Sequence, residues 1–184
     1  MNRLYSLQDI TSFCLSKPDA KLIVDTNIFL LLFIGIYDPE YLKRCPLMTG
    51  NGKNYEKKHF DLMLEILGRF RNNIVITPHI LSEINMLSRR DIKTPHFDAY
   101  FTKMVKKLEN CKEHLVELGA LLKSGGIREF GFADISLVEA AREKKWAILT
   151  DEFDLYRTFN EHVPIIYFSA VVAQEIQKVY SKFL

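Results

Sequence analysis

The chain has 184 residues, 48% hydrophobic and 26% charged, which is the length of one domain and the makeup of an ordinary globular protein. This excludes a disordered or low-complexity chain, and the net charge of +2 (25 basic against 23 acidic side chains) neither favours nor excludes a polyanionic partner. Cys14, Cys45 and Cys111 are far apart, odd in number and lack a CxxC pair, which excludes a disulfide frame or thiolate zinc site and points to reduced thiols in the cytoplasm.

The opening MNRLYSLQDI has no signal-peptide pattern, and the apolar run Ile28 to Ile36 is too short to span a bilayer. No membrane association is expected. Ser6 to Ser16 reads as an amphipathic helix broken by Lys17-Pro18-Asp19. Lys21 to Val24 is a short apolar strand ending on Asp25, followed by an apolar helix from Asn27 to Ile36. Residues 37–54, with their Pro and Gly signals, read as an irregular loop, and a helix resumes over Tyr55 to Phe70 with Phe60, Leu64 and Leu67 on one face.

Ile74 to Thr77 is the second strand, and Pro78 suits the first turn of a helix that runs to about Arg90. His96 to Lys123 forms one long helix or two, stopped by Ser124-Gly125-Gly126; Ala133 to Lys144 is another helix. Trp146 to Thr150 and Val163 to Phe168 are the third and fourth strands, and Ser169 caps a closing helix through Phe183. Alternation of short apolar strands with helices predicts a single three-layer α/β/α domain over residues 1–184. Its core spans about 21–168, around a mostly parallel sheet of four or five strands. Such sheets bind ligands at the carboxyl ends of their strands.

Acids occupy those ends. Asp25 follows the first strand and Asp151 the third. Glu83 lies in the second turn of the helix after Ile-Thr-Pro, and Asp134 opens a helix after Gly-Phe-Ala, where the dipole favours negative charge. If the first three strands are neighbours, the four acids share one cleft. A hard cation, Mg²⁺ or Mn²⁺, would relieve their repulsion and supply a water for phosphodiester chemistry. Taken singly, Asp134 is as well read as an N-cap and Glu83 as a solvated helix residue, whereas Asp25 interrupts an apolar stretch and needs a partner.

Ile23-Val24-Asp25-Thr26-Asn27 resembles the opening motif of the PIN-domain nucleases. The likeness continues in order through Thr77-Pro78-His79-Ile80-Leu81-Ser82-Glu83-Ile84, Ala133-Asp134, and Ile148-Leu149-Thr150-Asp151-Glu152-Phe153-Asp154-Leu155. The resemblance implies that Asp25, Glu83, Asp134 and Asp151 are catalytic, metal-holding acids. Asn27 would orient Asp25 or a bound water, and Thr150 would support the site. The run Asp-Glu-Phe-Asp leaves the last ligand open among Asp151, Glu152 and Asp154; Asp151 is preferred for its place at the strand end, and Asp154 also reads as a helix-start charge. The implied activity is metal-dependent hydrolysis of RNA, leaving a 5′-phosphate and a 3′-hydroxyl. The implied role is a toxin or defence nuclease, with an antitoxin or other protein inhibitor as partner and a homodimer as one assembly. Residues 37–54 and 103–123 look like additions to the compact toxin-type members.

Two other readings compete. An inactive RNA-binding or scaffold protein of the same fold is one. A metal-dependent phosphatase is the other, disfavoured because the dehalogenase-type motif needs an Asp where Asn27 stands. Arg89, Arg90 and Lys93, after the Glu83 helix, are candidate phosphate contacts or a dipole-compensating helix end. His79 reads as a packing residue or one that lines the cleft, and Tyr100 and Phe101 read as core, with base stacking as the alternative.

Overall fold

The computed structural model describes residues 4, 6–50, 54–71 and 73–181. In chain order the elements are α1 (Leu7–Ser16), β1 (Leu22–Val24), α2 (Thr26–Tyr37), a 3-10 turn (Pro39–Lys43), α3 (Pro46–Thr49), α4 (Lys57–Arg69), β2 (Ile74–Ile76) and α5 (Pro78–Asp91). They continue with α6 (His96–Leu108), β3 (Lys112–Glu113), α7 (Leu118–Lys123), α8 (Ile127–Lys144), β4 (Ala147–Thr150), α9 (Phe153–Phe159), β5 (Ile165–Tyr167) and α10 (Phe168–Tyr180). Asn51, Gly52 and Phe183, placed above in a loop and at the end of the last helix, lie outside the described residues.

The strands form one all-parallel sheet in the order β3-β2-β1-β4-β5, flanked by helices in an α/β/α arrangement. From the central β1 the chain moves outward to β2 and β3, then returns past β1 to β4 and β5. The direction reverses between β1 and β4, the kind of switch point beside which such sheets bind ligands at the carboxyl edge. The inner strands β1, β2 and β4 are buried along their whole length, which is why they read as unbroken apolar runs.

α2 is the helix around which the other elements pack. Thr26 and every residue from Ile28 to Gly35 are buried, because β4, α4, α5 and α6 all pack against it. Gly35 permits the closest of these approaches: a Cβ there would lie 2.2 Å from the Phe60 ring of α4. Tyr100 is fully buried on α6, its hydroxyl 2.8 Å from Ser88 Oγ, and Phe101 packs against the core.

Several expectations are corrected. The segment 37–54 is not wholly irregular: Pro39 and Pro46 each start a short helical turn, the first capped by Asp38. Of the two arrangements open for His96 to Lys123 the chain takes two helices, and the unexpected element is β3 between them, a two-residue exposed strand of Lys and Glu with no apolar signature. On α4 the buried face is Phe60, Met63, Ile66 and Leu67, leaving Leu64 exposed. The residue before α10 is Tyr167, and Ser169 lies inside the helix. The three cysteines are free thiols. Among the described residues no helix is long and apolar enough to cross a membrane.

Candidate active site

The register of β1 on β4 pairs Val24 with Leu149, so the next residues, Asp25 and Thr150, stand side by side where the two strands end. Asp25 is 2% exposed. Although it occupies the N-cap position of α2, its carboxylate makes no capping bond to that helix. It accepts instead from the Thr150 hydroxyl, at 2.8 Å from Oδ2, and Thr150 Oγ1 accepts in turn from the Glu152 amide at 3.0 Å. One hydroxyl thus joins Asp25, after β1, to the backbone after β4.

The first turn of α2 collects two more acids. Thr26 donates to Glu83 Oε2 at 2.5 Å, bringing α5 against the start of α2, and Asn27 Nδ2 donates to Glu152 Oε1 at 2.6 Å. Asn27 therefore reaches across to the β4 side and bonds to Glu152, where the sequence reading placed it on Asp25 or a water. Asp25 and Glu152 are joined by hydrogen bonds through Thr150, Asn27 bonds Glu152 in turn, and Thr26, between Asp25 and Asn27 in the chain, holds Glu83 by a separate bond.

Asp151 has other partners, although the Tyr55 phenol that bonds it also feels the charges of Asp25 and Glu152. At 8% exposure, it accepts from the Tyr55 hydroxyl on Oδ2 at 2.5 Å and from the Ser169 amide on Oδ1 at 2.9 Å. Its two oxygens tie the end of β4 to the entry of α4 and to the start of α10. Asp154 is exposed and paired with Arg157 at 3.3 Å. Of the three acids left open by the run Asp-Glu-Phe-Asp, Glu152 is the one joined to the first turn of α2. Sequence reasoning missed Tyr55, whose bond to Asp151 spans 96 residues and has no local signal. Burial, then the neighbouring Asp151 charge and the bond to it, hold the Tyr55 phenol protonated far above the usual tyrosine range. Burial likewise pushes the neighbouring His59 imidazole down, favouring its neutral form.

Asp134 is half-buried near the start of the second segment of α8, which Gly131 separates from the first with φ +79°. This matches the expected helix start, although the helix as a whole begins earlier, at Ile127. Two residues on, Ser136 Oγ donates to Ala133 O at 2.6 Å and so must accept from Thr77 Oγ1, 2.7 Å away. The carboxyl end of β2 is thereby fixed beside the turn that carries Asp134. His79, in the first turn of α5, stacks on Phe132 with centroids 6.2 Å apart and planes 13° apart.

No model of a known protein family matches this chain, and no curated protein matches it. The geometry therefore carries the functional argument.

Among the described residues, no three Asp, Glu, His or Cys side chains form a group that could hold a metal ion as they stand. The donor chemistry is nonetheless that of a hard cation, since Asp25, Glu83, Asp134 and Glu152 offer only oxygen. A cavity of about 480 Å³ lies elsewhere, lined by α7, α8 and α9 residues including Lys123, Phe130 and Arg142, and contains none of these acids. The basic residues after Glu83 are engaged locally. Arg89 lies 5.6 Å from the Phe97 ring centre and bonds Asn85, Arg90 pairs with Asp91 at 2.7 Å, and Lys93 bonds the Arg90 carbonyl.

Proposed function

We propose that the chain is a metal-dependent endoribonuclease that hydrolyses RNA phosphodiester bonds at the carboxyl edge of its sheet. The observation that carries this reading is that the three consecutive residues Asp25, Thr26 and Asn27, at the switch point between β1 and β4, bring together Asp25, Glu83 and Glu152: Asp25 bonds Thr150, Thr26 bonds Glu83 and Asn27 bonds Glu152. In this reading Asp25, Glu83, Asp134 and Glu152 hold Mg²⁺ or Mn²⁺, and Asp151 keeps the end of β4 in place. When bound, the ion would neutralise the acids and supply an activated water for attack on phosphorus. Thr150 and Thr26 hold the Asp25 and Glu83 carboxylates, and Asn27 holds Glu152. The products would carry a 5′-phosphate and a 3′-hydroxyl.

A second reading, an inactive RNA-binding or scaffold protein, is favoured by one observation: in this conformation the acids are bonded to hydroxyl and amide donors and form no ready group for an ion. Incubating the purified protein with RNA and with p-nitrophenyl phosphate in Mn²⁺ separates the readings. RNA cleavage that Asp25→Asn abolishes supports the nuclease. RNA binding without cleavage supports the scaffold, and turnover of the monoester alone supports a phosphatase.

A further inference from the structure

Two half-exposed phenylalanines stand beside acids of the candidate site in the chain. Phe132, 48% exposed, opens the second segment of α8, and Phe153, 54% exposed, is the first residue of α9. Each begins a helical segment at the carboxyl edge, Phe153 directly after Glu152 and Phe132 two residues before Asp134.

Each also rests on a further aromatic ring. Phe132 stacks nearly parallel on His79, whose enclosed Nδ1 has no hydrogen-bond partner among the described residues. Phe153 packs on Tyr167 at 5.8 Å, and Tyr167 stacks on Tyr156 at 5.4 Å with planes 22° apart. His79 follows β2, Phe153 and Tyr156 follow β4, and Tyr167 ends β5, so the strand ends that carry them are two to three strand spacings apart, about 10–14 Å. β1, whose end leads into Asp25, lies between β2 and β4.

We infer that these are two base-stacking platforms, which take unpaired nucleobases on either side of the scissile phosphate. This rests on the nuclease reading and deepens it. An acidic cleft repels the phosphate backbone, so affinity must come from another source. Many cations are already committed to ion pairs, among them Arg90 with Asp91, Arg142 with Glu139 and Arg157 with Asp154. Ring faces supply affinity without charge and accept every base, but only where the bases are not already stacked in a duplex.

The test uses a single-stranded RNA decamer carrying 2-aminopurine, its duplex, and an otherwise identical decamer with abasic residues. The parent is compared with Phe132→Leu and Phe153→Leu, which keep apolar bulk and lose the ring face. Stacking predicts quenched 2-aminopurine fluorescence with the single strand and weaker binding of the duplex. Each variant should bind the single strand roughly 5- to 100-fold more weakly, while parent and variants bind the abasic decamer alike. Quenching and this pattern without cleavage would support the platforms while overturning the nuclease reading. Cleavage without quenching, or variants that bind the decamer as the parent does, would overturn the platforms and leave the nuclease reading standing. A parent that neither binds nor cuts the decamer overturns both.

Discussion

Thr150 donates a hydrogen bond to Asp25 Oδ2 at 2.8 Å, between the ends of β4 and β1 where the sheet reverses direction. The two residues call for different substitutions. Asn at position 25 keeps an oxygen that accepts from Thr150, so Asp25→Asn should fold with a melting temperature equal to or above the parent's and lose RNA cleavage. Thr150→Ala removes a donor from a buried carboxylate and an acceptor from the Glu152 amide, and should cost about 1–3 kcal/mol of stability. Denaturant melts alongside an RNA cleavage assay check both. Full activity in Asp25→Asn removes this aspartate from the site.

Tyr55 makes a second prediction, read through pH. Its phenol stays protonated in the folded protein far above the usual range because it is buried against Asp151. Below the ordinary tyrosine value, about pH 10, folded and unfolded chains carry the same proton and the stabilisation is complete. Above it the unfolded chain loses the proton first, so stability falls as pH rises toward the folded value. Tyr55→Phe should lower stability by about 1.5–3 kcal/mol at pH 7, the worth of a hydrogen bond to a charged group. It should also flatten the alkaline decline of the melting temperature. An unchanged decline above pH 10 in the variant would assign it to other tyrosines.

Gly35→Ala tests the packing behind the site. The added methyl would meet the Phe60 ring at 2.2 Å, so α4 must move or the ring must turn. Overpacking costs about 1–3 kcal/mol, against which the better helix propensity of Ala returns about 1 kcal/mol. The variant should be less stable, and Phe60→Leu in the same chain should recover part of the loss. Additive effects of the two substitutions in urea melts would show that the ring is not the obstacle.

How far the sequence could be read follows the range of the interactions. The inner strands were legible because burial on both faces makes each a short apolar run, and Asp25 was legible because a charge at the end of such a run needs a partner. β3 was not, since Lys112 and Glu113 are exposed and join the sheet only through backbone bonds to β2. The different fates of neighbouring Asp151 and Glu152 were also hidden. They depend on where Tyr55, Ser169 and Asn27 arrive from distant parts of the chain, and adjacency in sequence says nothing of that.

The metal prediction separates those two acids. A cation bound only by the folded chain raises the melting temperature by mass action. Millimolar Mn²⁺ should therefore shift the parent upward, and Glu83→Gln, Asp134→Asn and Glu152→Gln should each shrink the shift. Asp151→Asn should behave differently. Its carboxylate oxygens accept from Tyr55 and Ser169, so the substitution should lower stability without metal while leaving the Mn²⁺-induced shift largely intact. Thermal melts of the parent and the four variants, with and without Mn²⁺, give the comparison. If Asp151→Asn loses the shift and Glu152→Gln keeps it, Asp151 is the ligand and Glu152 only pairs with Asn27. If Mn²⁺ leaves the parent unmoved and RNA uncut, the acids are a hydrogen-bonded network that holds the start of α2, and the scaffold reading takes the place of the nuclease.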